Sequence, residues 1–338
     1  MAELVKVALD IMGGDNAPEE IVKGAVLALN EQDNLYIYAV GQEEVVKNEF
    51  AKYTYDTSRL EIVNATEVIE TSEPPVMAIR KKKDSSIVKA MNMVKDKTCD
   101  ALVSAGSSGA ILVGGQVIVG RIKGVERPPL APLIPTAEGV SILIDCGANM
   151  DARPSFLVQF AKMGSVYMKY VMGIENPRVA IVNVGAEEEK GNALVKETFP
   201  LLKNCPDINF IGSIEARDIP FGYADVIVCD AFVGNAILKT YEGTGKMFID
   251  TIKSVLMSSV KTKIGALLIK SSLKVAMKKF DVSEYGGAPL LGLNGLVVKT
   301  HGSSKAGEVK NTLIQCITFK EQNINDKIKQ IITNTEEI

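Results

Sequence analysis

The chain alternates short apolar runs with longer stretches in which apolar residues recur every three or four positions. The short runs are rich in β-branched residues, and several are apolar at every position, as in parallel strands covered on both faces. They predict strands at residues 5–9, 36–40, 60–63, 101–103, 142–144, 179–182, 209–211 and 226–229. The longer stretches predict helices that include residues 19–30, 86–95, 156–172 and 194–203.

This alternation predicts an α/β fold with a doubly wound, mainly parallel sheet. Neither an internal repeat nor a change in composition marks a domain boundary, so we expect a single α/β domain over residues 1–338. Residues 245–282 form successive helical patterns without a strand, and we expect this segment to project from the sheet. The polar end of the chain, residues 321–338, predicts a helical tail.

An uncharged stretch at residues 101–120 has about the length of a membrane-spanning helix, roughly 20 residues. Its centre, however, is the sequence SAGSSG at 104–109, a turn cluster between two apolar runs. A strand, a polar loop and a buried helix therefore fit this stretch better than a span.

Composition and charge narrow the classes of function. With 46% hydrophobic and 23% charged residues the chain is an ordinary globular protein, and its net charge of −3 argues against a general nucleic-acid-binding surface. The single histidine, His301, excludes multi-histidine metal sites, and the five cysteines lack CxxC spacing. No signal peptide is visible at the N-terminus, so we expect a cytoplasmic protein.

Loops that contain glycine follow five of the predicted strands. In a parallel sheet these loops lie at the carboxyl edge, where open α/β folds bind ligands. Glycine lets backbone N–H groups approach an anion, and the next helix adds its positive end. The loops are DIMGGD at 10–15, SAGSSG at 104–109, DCGAN at 145–149, NVGAE at 183–187 and DAFVGN at 230–235. One such loop alone is better explained as a tight turn, but the set predicts an anion-binding cleft.

Nucleotide-binding motifs are missing from these loops, because GTGK at 243–246 is an incomplete Walker A sequence and no GxGxxG occurs. Two features leave alternatives open. Lys190 either places its ammonium over the cleft or lies in a solvated helix start. His301 begins the tight loop HGSS at 301–304, and a lone histidine is more often structural than catalytic.

Taken together, a set of strings in this order resembles the bacterial phosphate acyltransferases over nearly the whole chain, from residue 7 to about residue 310. Each string is weak evidence alone, whereas the ordered set is specific. The strings are ALDIMGGDNAP at 8–18, RKKKDSS at 80–86, SAGSSGA at 104–110, VGRIKGVERPPLAP at 119–132, IDCGAN at 144–149, QFAKMGSVY at 159–167, NVGAEEEKGN at 183–192, NFIGSIEARD at 209–218, DAFVGN at 230–235, YGGAPLLG at 285–292 and HGSS at 301–304.

The chain departs from the family at a few positions. Asn16 stands where the family usually has histidine, which argues against an essential acid–base role there. Ser107 and Ser108 replace the usual Asn-Thr pair and keep its hydrogen-bonding capacity, and Ala231 replaces a usual glycine. The family tolerates apolar residues at Cys146, which argues against an acyl-cysteine intermediate.

The resemblance implies a fold like that of phosphotransacetylases and isocitrate-type dehydrogenases, and a homodimer. It implies that a long-chain acyl group moves from acyl-acyl-carrier-protein to inorganic phosphate, giving acyl phosphate for phospholipid (phosphatidic acid) synthesis. It also implies no organic cofactor and no required metal, and it makes a downstream glycerol-3-phosphate acyltransferase a candidate partner. No nucleic-acid partner is expected.

These residues suit a reaction without an enzyme-bound ester. Phosphate dianion is already a nucleophile, so the protein needs only to hold it beside the thioester and stabilise the oxyanion. We expect catalytic roles for Lys190, Ser104 and Asn235. Carboxylates of the loops, including Asp10 and Asp145, are expected to orient backbone rather than touch phosphate. Phosphate or substrate binding is expected at Gly13, Gly14, Asp15, Gly106, Ser107, Ser108, Gly109, Asn149, Asn183, Gly185, Asn192, Asp230, Gly234, His301 and Ser303.

Two groups of cations are candidates for docking an acidic carrier protein: Arg80, Lys81, Lys82 and Lys83, and the pair Arg121 and Lys123. A solvated charge run explains residues 81–83 equally well, and Arg80 alternatively faces phosphate. The apolar sequence IGALLI at 264–269 lies among lysines, which suits an anionic membrane surface. We expect membrane contact at Leu267, Leu268 and Ile269, although a dimer-interface helix pair explains the same pattern.

Three other functions compete with this interpretation. A short-chain phosphotransacetylase acting on acyl-CoA is the nearest enzyme. An isocitrate-like dehydrogenase is disfavoured because the chain lacks a dinucleotide fingerprint and an evident metal-binding carboxylate cluster. A non-catalytic anion-binding scaffold is the alternative outside enzymes.

Overall fold

In the computed structural model the described residues are 3–278 and 282–333. The chain divides into two compact units. The first comprises Met1–Pro132, Lys162–Asn176 and Ser283–Ile338, and the second comprises Leu133–Ala161 and Pro177–Val282. The sequence analysis expected one domain. The chain crosses between the two units inside continuous segments, without a linker of distinct composition.

Strands and helices alternate through most of the chain. The strands are β1 (Val5–Asp10), β2 (Leu35–Gly41), β3 (Leu60–Asn64), β4 (Ala101–Ser104), β5 (Leu133–Thr136), β6 (Gly139–Ile144), β7 (Arg178–Asn183), β8 (Asn209–Glu215), β9 (Val226–Val228), β10 (Ala288–Leu290) and β11 (Leu296–Lys299). The helices are α1 (Glu19–Glu31), α2 (Glu43–Phe50), α3 (Pro75–Lys81), α4 (Ser86–Lys95), α5 (Ser108–Gly114), α6 (Pro154–Tyr170), α7 (Ala193–Lys203), α8 (Ala231–Met257), α9 (Val260–Lys278), α10 (Ala306–Glu321) and α11 (Ile324–Thr333).

The first unit is built on a six-stranded sheet in the order β10-β11-β4-β1-β2-β3. Its strands are parallel except for β10, which is antiparallel to β11. The central strand β1 pairs through Val7 with Ile37 of β2 and with Ala101 of β4. This alignment brings the ends of β1 and β4 to the same edge of the sheet. All three side chains are buried, as expected for a parallel sheet covered on both faces.

The second unit is built on a five-stranded sheet in the order β5-β6-β9-β7-β8, with only β5 antiparallel to its neighbour. Val228 of β9 lies opposite Ile144 of β6 on one side and Ile181 of β7 on the other. The carboxyl ends of these three strands are therefore adjacent. The three side chains are fully buried.

The doubly wound α/β class is confirmed, and each predicted strand and helix overlaps an observed one. The stretch 101–120 forms β4, a turn, α5 and a π-helical segment, Gly115–Val119, rather than a span. Among the described residues no helix is both long and apolar enough to cross a membrane. The strand-free segment contains α8 and α9, and the tail contains α11. Residues 279–281 and 334–338 of those two predictions lie outside the described residues.

Candidate functional site

In the first unit the loop after β1 is organised by Asp10, the last residue of that strand. Its carboxylate is fully buried and accepts the hydroxyl proton of Ser104 at 2.7 Å and the N–H of Met12 at 3.2 Å. Burial raises the pKa of this carboxyl despite the hydrogen bonds, which also come from Ser86 and the N–H of Gly13. Asp10 thus orients loops, as the sequence analysis expected of the loop carboxylates.

Ser104 does not have the free hydroxyl that a catalytic donor needs. Its oxygen donates to Asp10 and accepts the N–H of Gly106 at 3.0 Å, and the residue is fully buried. Ser104 therefore links β1 to the loop after β4. The N–H groups of Gly13 and Gly106, which we expected to bind phosphate, are both used within this network.

The two glycine loops touch each other. A Cβ atom placed on Gly13 would lie 2.7 Å from the backbone nitrogen of Gly106, closer than real Cβ contacts allow. Gly14 adopts a φ of +103°, in the region that favours glycine. Its neighbour Asp15 donates its N–H to the carbonyl of Gly302 at 2.7 Å, so a third loop joins the first two.

The third loop is HGSS, residues 301–304. Asn16 donates its amide to the carbonyls of Ser303 and Ser304, at 3.0 and 3.2 Å. The ring nitrogen Nδ1 of exposed His301 lies 2.8 Å from the Ser303 hydroxyl. Asn16 thus holds the loop after β1 against the loop at 301–304, a structural role that needs no acid–base chemistry. The hydroxyls of Thr300 and Ser304 are buried without a hydrogen-bond partner among the described residues, a feature that the sequence analysis missed.

Three further residues predicted to bind phosphate, Ser107, Ser108 and Gly109, lie at the start of α5, and their surroundings differ. The Ser107 hydroxyl accepts the N–H of Ala110 at 3.4 Å and so caps the helix. Ser108 is exposed. A Cβ atom on Gly109 would lie 2.4 Å from Pro75, so that glycine is needed for packing against α3.

In the second unit the loop after β6 is held by Asp145, which is fully buried. The backbone and side-chain N–H groups of Asn149 both donate to this carboxylate, at 2.8 and 2.7 Å. The carbonyl of Asn149 accepts the N–H of Ala231 at 3.1 Å, which ties this loop to the start of α8. Asn149, predicted to bind phosphate, therefore directs its amide to its own loop.

Asp230 is the N-cap of α8. Its carboxylate accepts the N–H groups of Phe232 and Val233 at 2.9 and 3.0 Å, so it occupies the position that an anion would take. The N–H of Gly234 donates to the carbonyl of Asp230 within the helix, and a Cβ atom on Gly234 would lie 1.9 Å from the carbonyl oxygen of Asp145. Gly234 thus allows close packing, while Asn235 is half-buried in the first turns of α8.

The loop after β7 carries the predicted catalytic lysine. Asn183 is buried, and its amide donates to the carbonyl of Lys190 at 3.3 Å and to the hydroxyl of Ser213 at 3.1 Å. Lys190 is exposed and forms an ion pair with Glu187 at 2.8 Å, which raises the pKa of the ammonium. It lies before α7 rather than at its start, because Asn192 caps that helix by accepting the N–H of Val195. Gly185 is buried in the same loop.

The cations predicted to dock a carrier protein differ in their hydrogen-bond and ion-pair partners. Arg80 and Lys81 at the end of α3 are exposed, as is Lys123. The Lys82 ammonium, by contrast, lies 2.6 Å from the Glu73 carboxylate, and Lys83 donates to the carbonyl of Ile79 at 3.3 Å. The guanidinium of Arg121 donates to the carbonyl of Glu126.

On α8 and α9, large apolar side chains are exposed to solvent. Leu267 and Leu268 are 72% and 77% exposed, and Ile269 is exposed as well. The two helices border a groove of about 530 Å³, which Leu267 lines but Leu268 and Ile269 do not. Exposed apolar side chains grouped on neighbouring helices are typical of an interaction surface.

The cysteines beside the strand ends of the second unit are buried thiols. Burial raises the pKa of the Cys146 and Cys229 thiols well above the ordinary value, so both thiols stay protonated near neutral pH. The other cysteines are also free of disulfides. No group of three or more His, Cys, Asp or Glu side chains in the described part of the chain is arranged to hold a metal ion.

Comparisons with known proteins agree with this architecture. Residues 5–327 match the family model described as fatty acid synthesis protein. The chain is 52% identical to a phosphate acyltransferase of Clostridium botulinum (strain Alaska E43), over 96% of this chain and 98% of that protein. It is 51% identical to a putative phosphate acyltransferase of Clostridium perfringens (strain 13), over 97% of both.

Solved structures give the fold. A phosphotransacetylase from Streptococcus pyogenes superposes with a TM-score of 0.61 at 18% identity, and the EutD phosphotransacetylase from Staphylococcus aureus with 0.58 at 18%, each over 94% of both chains. The fold is therefore that of the phosphotransacetylase-like α/β enzymes. Within that class, the chain belongs to the bacterial phosphate acyltransferase family and is an acyltransferase of fatty acid and phospholipid synthesis.

Proposed function

We propose that this acyltransferase moves a long-chain acyl group from the thioester of acyl-acyl-carrier-protein to inorganic phosphate. A phosphate oxygen attacks the thioester carbonyl carbon, the C–O bond forms, and the C–S bond breaks. The carrier thiolate leaves with the electron pair and is protonated by water. The products are acyl phosphate and free carrier protein.

One observation supports this proposal beyond family membership: three candidate nucleophiles beside the strand ends, Cys146, Cys229 and Ser104, are unavailable for reaction. The Cys146 and Cys229 thiols are buried and protonated, and the Ser104 hydroxyl is committed to Asp10. Phosphate supplies its own ionised oxygen, so a site that only positions and neutralises is sufficient. This also supports transfer in a single displacement.

Lys190 is the side chain best suited to neutralise phosphate or the developing oxyanion. It is exposed at a strand-end loop, and Glu187 keeps it protonated. Binding phosphate requires the ammonium to exchange an exposed ion pair for the ligand, and such pairs contribute only about 0–1 kcal/mol. Asn235, half-buried on α8, is the second candidate, while Ser104 acts as a positioning residue.

Incubating the protein with palmitoyl-carrier protein, with and without phosphate, tests the reaction. Free thiol and acyl phosphate should form together and only when phosphate is present. Lys190→Ala should lower kcat/KM by roughly 10²–10³-fold, whereas Lys196→Ala, an exposed lysine on the neighbouring helix α7, should leave it unchanged. Thiol release at the same rate without phosphate would contradict the proposal.

The same assay distinguishes the proposed reaction from the other functions. Faster reaction with acetyl-CoA than with palmitoyl-carrier protein would favour a short-chain phosphotransacetylase, and no thiol release from any thioester would favour a scaffold.

We further propose a homodimer, docking of the carrier on the exposed cations of α3, and peripheral membrane contact through α9. A downstream glycerol-3-phosphate acyltransferase is the partner proposed to receive the acyl phosphate.

A further inference from the structure

Three adjacent strand-end loops of the second unit each expose a large apolar side chain. Met150 follows the loop after β6, Val184 follows β7, and Phe232 follows β9 in the first turn of α8. Their exposed fractions are 56%, 75% and 69%. Scattered exposed apolar residues need no explanation, but three at neighbouring strand ends form a common edge.

Hydrogen bonds and strand register make the segments that carry the three residues neighbours. The carbonyl of Asn149, the residue before Met150, accepts the N–H of Ala231, the residue before Phe232, at 3.1 Å. On the other side, Ile181 of β7 lies opposite Val228 of β9, so the strand ends that lead to Val184 and to Phe232 are neighbours. Neighbouring strands are about 4.7–4.9 Å apart.

The strand-end loops of the first unit differ in this respect. Among residues 10–16, 104–109 and 300–304, no large apolar side chain is exposed, and Ile11 is fully buried. The exposed apolar residues of this kind are thus a property of the second unit's loops. Val184 lies in the same loop as the Lys190 ammonium.

We infer that Met150, Val184 and Phe232 contact the acyl chain of the substrate and set the preference for its length. This inference rests on the proposed function. A ligand with an anionic or carbonyl head and a long apolar tail matches loops that carry both the Lys190 ammonium and large exposed apolar side chains. Burial of these side chains against the chain removes apolar surface of both partners from water.

Reaction rates with carrier protein bearing butyryl, octanoyl or palmitoyl groups test the inference. Each methylene group that becomes buried is worth up to roughly fourfold in kcat/KM. In the double variant Met150→Ala with Phe232→Ala, we expect the preference for palmitoyl over butyryl to fall about tenfold or more, through KM rather than kcat. Val184→Ser should reduce it by about two- to fourfold.

Two controls make the result specific. Phe221→Ala removes an aromatic side chain that is 53% exposed in the same unit. Its neighbour Pro220 accepts the N–H of Ala137 in the turn before β6, so Phe221 lies near the start of β6 rather than near its carboxyl end, and the variant should leave the chain-length preference unchanged. Phe232→Leu keeps an apolar side chain and should keep most of the preference. Thermal unfolding followed by circular dichroism verifies that each variant is folded.

The outcomes separate this inference from the proposed function. If the wild-type protein transfers no acyl group to phosphate, the proposed function and this inference both fail. If it transfers acyl groups and the variants keep the wild-type preference, or lose rate equally for all three acyl groups, only the inference is overturned. A change in oligomeric state or in vesicle binding with an unchanged preference assigns the surface to a second copy or to a membrane, and also overturns it.

Discussion

The Asp10 carboxylate is fully buried, and hydrogen-bond donors from three segments of the chain hold it in place. Its partners are the hydroxyls of Ser86 and Ser104 and the N–H groups of Met12 and Gly13. Removing such an acceptor leaves buried donors unsatisfied, at about 1–3 kcal/mol for each. The carboxylate therefore fixes the glycine loops, while its own burial disfavours the charged form and raises its pKa.

This raised pKa predicts how stability depends on pH. Because the folded-state pKa of Asp10 exceeds the unfolded value of 3.8, its contribution to stability is fully present below about pH 4 and is lost as the pH rises through the folded-state pKa. Asp10→Asn cannot titrate. The free energy of unfolding of the wild type minus that of the variant, from urea titrations between pH 4 and pH 8, should therefore decrease with rising pH.

Asp56→Asn provides a control of opposite sign. The pKa of exposed Asp56 is lowered to about 2 by hydrogen bonds from Ser58 and Arg59, so its contribution is present above pH 3.8 and is lost only as the pH falls towards 2. Over pH 4–8 the corresponding difference should stay nearly constant. A wild-type-minus-Asp10→Asn difference that increases with pH would show that the pKa of Asp10 is lowered instead.

At single residues, the hydrogen bonds show what several predicted positions do within the fold, while their roles towards substrate stay predictions. Ser104, Asp230 and Asn192 were expected to bind or react with substrate, yet they join strands or cap helices. A cap and an anion ligand occupy the same place, a strand end or a helix start, and both use short polar side chains. Only the direction of each hydrogen bond separates the two roles, and sequence does not contain it.

Among the elements, α3 presents cations at its C-terminal end that suit an acidic carrier protein. Arg80 and Lys81 are exposed, while Lys82 is paired with Glu73. Arg80→Glu with Lys81→Glu should raise KM for acyl-carrier protein by about three- to tenfold at low salt, because each exposed charge contributes up to about 1 kcal/mol. The dependence of KM on ionic strength should flatten, and kcat should change little.

Lys23→Glu with Lys95→Glu changes net charge equally at exposed positions of α1 and α4, and so controls for the field of the whole protein. If both double variants raise KM alike, a local docking surface on α3 is ruled out.

Helices and strands were predicted from the sequence most accurately where they are long and regularly patterned. The predicted helices 86–95 and 194–203 coincide with α4 and α7 within one residue. The missed strands β5, β10 and β11 have three or four residues, and β10 contains Pro289, which is unusual inside a sheet. Such short strands form because neighbouring strands offer hydrogen-bonding partners, which is tertiary information.

For the whole molecule, the division into two units could not be predicted from sequence patterns. The boundary at Ala161 and Lys162 falls inside α6, where the helical pattern continues without a break. Both units repeat the same βα alternation, so a local pattern cannot assign a strand to one sheet or the other. The alternation of strands and helices predicted the doubly wound α/β class, and the ordered set of strings added its phosphotransacetylase-like type, because that set compares the whole chain with a family.

The exposed apolar surface of α8 and α9 leads to the last prediction. Ile252 and Leu256 line the groove between the two helices, whereas Leu268 and Ile269 do not. The homodimer proposed above would therefore use the groove, and the proposed membrane contact would use the side of α9 that carries Leu268 and Ile269. Leu268→Glu with Ile269→Glu should abolish flotation with anionic vesicles and leave the dimer intact.

Ile252→Glu should have the converse effect, because a carboxylate in an apolar contact between two copies is costly to bury. Sedimentation should then report a monomer. Vesicle binding by this variant should weaken without disappearing, since one membrane surface replaces two in each particle. Flotation of the Leu268→Glu, Ile269→Glu variant at the wild-type level, or its dissociation into monomers, would show that the two sides of α9 are assigned wrongly.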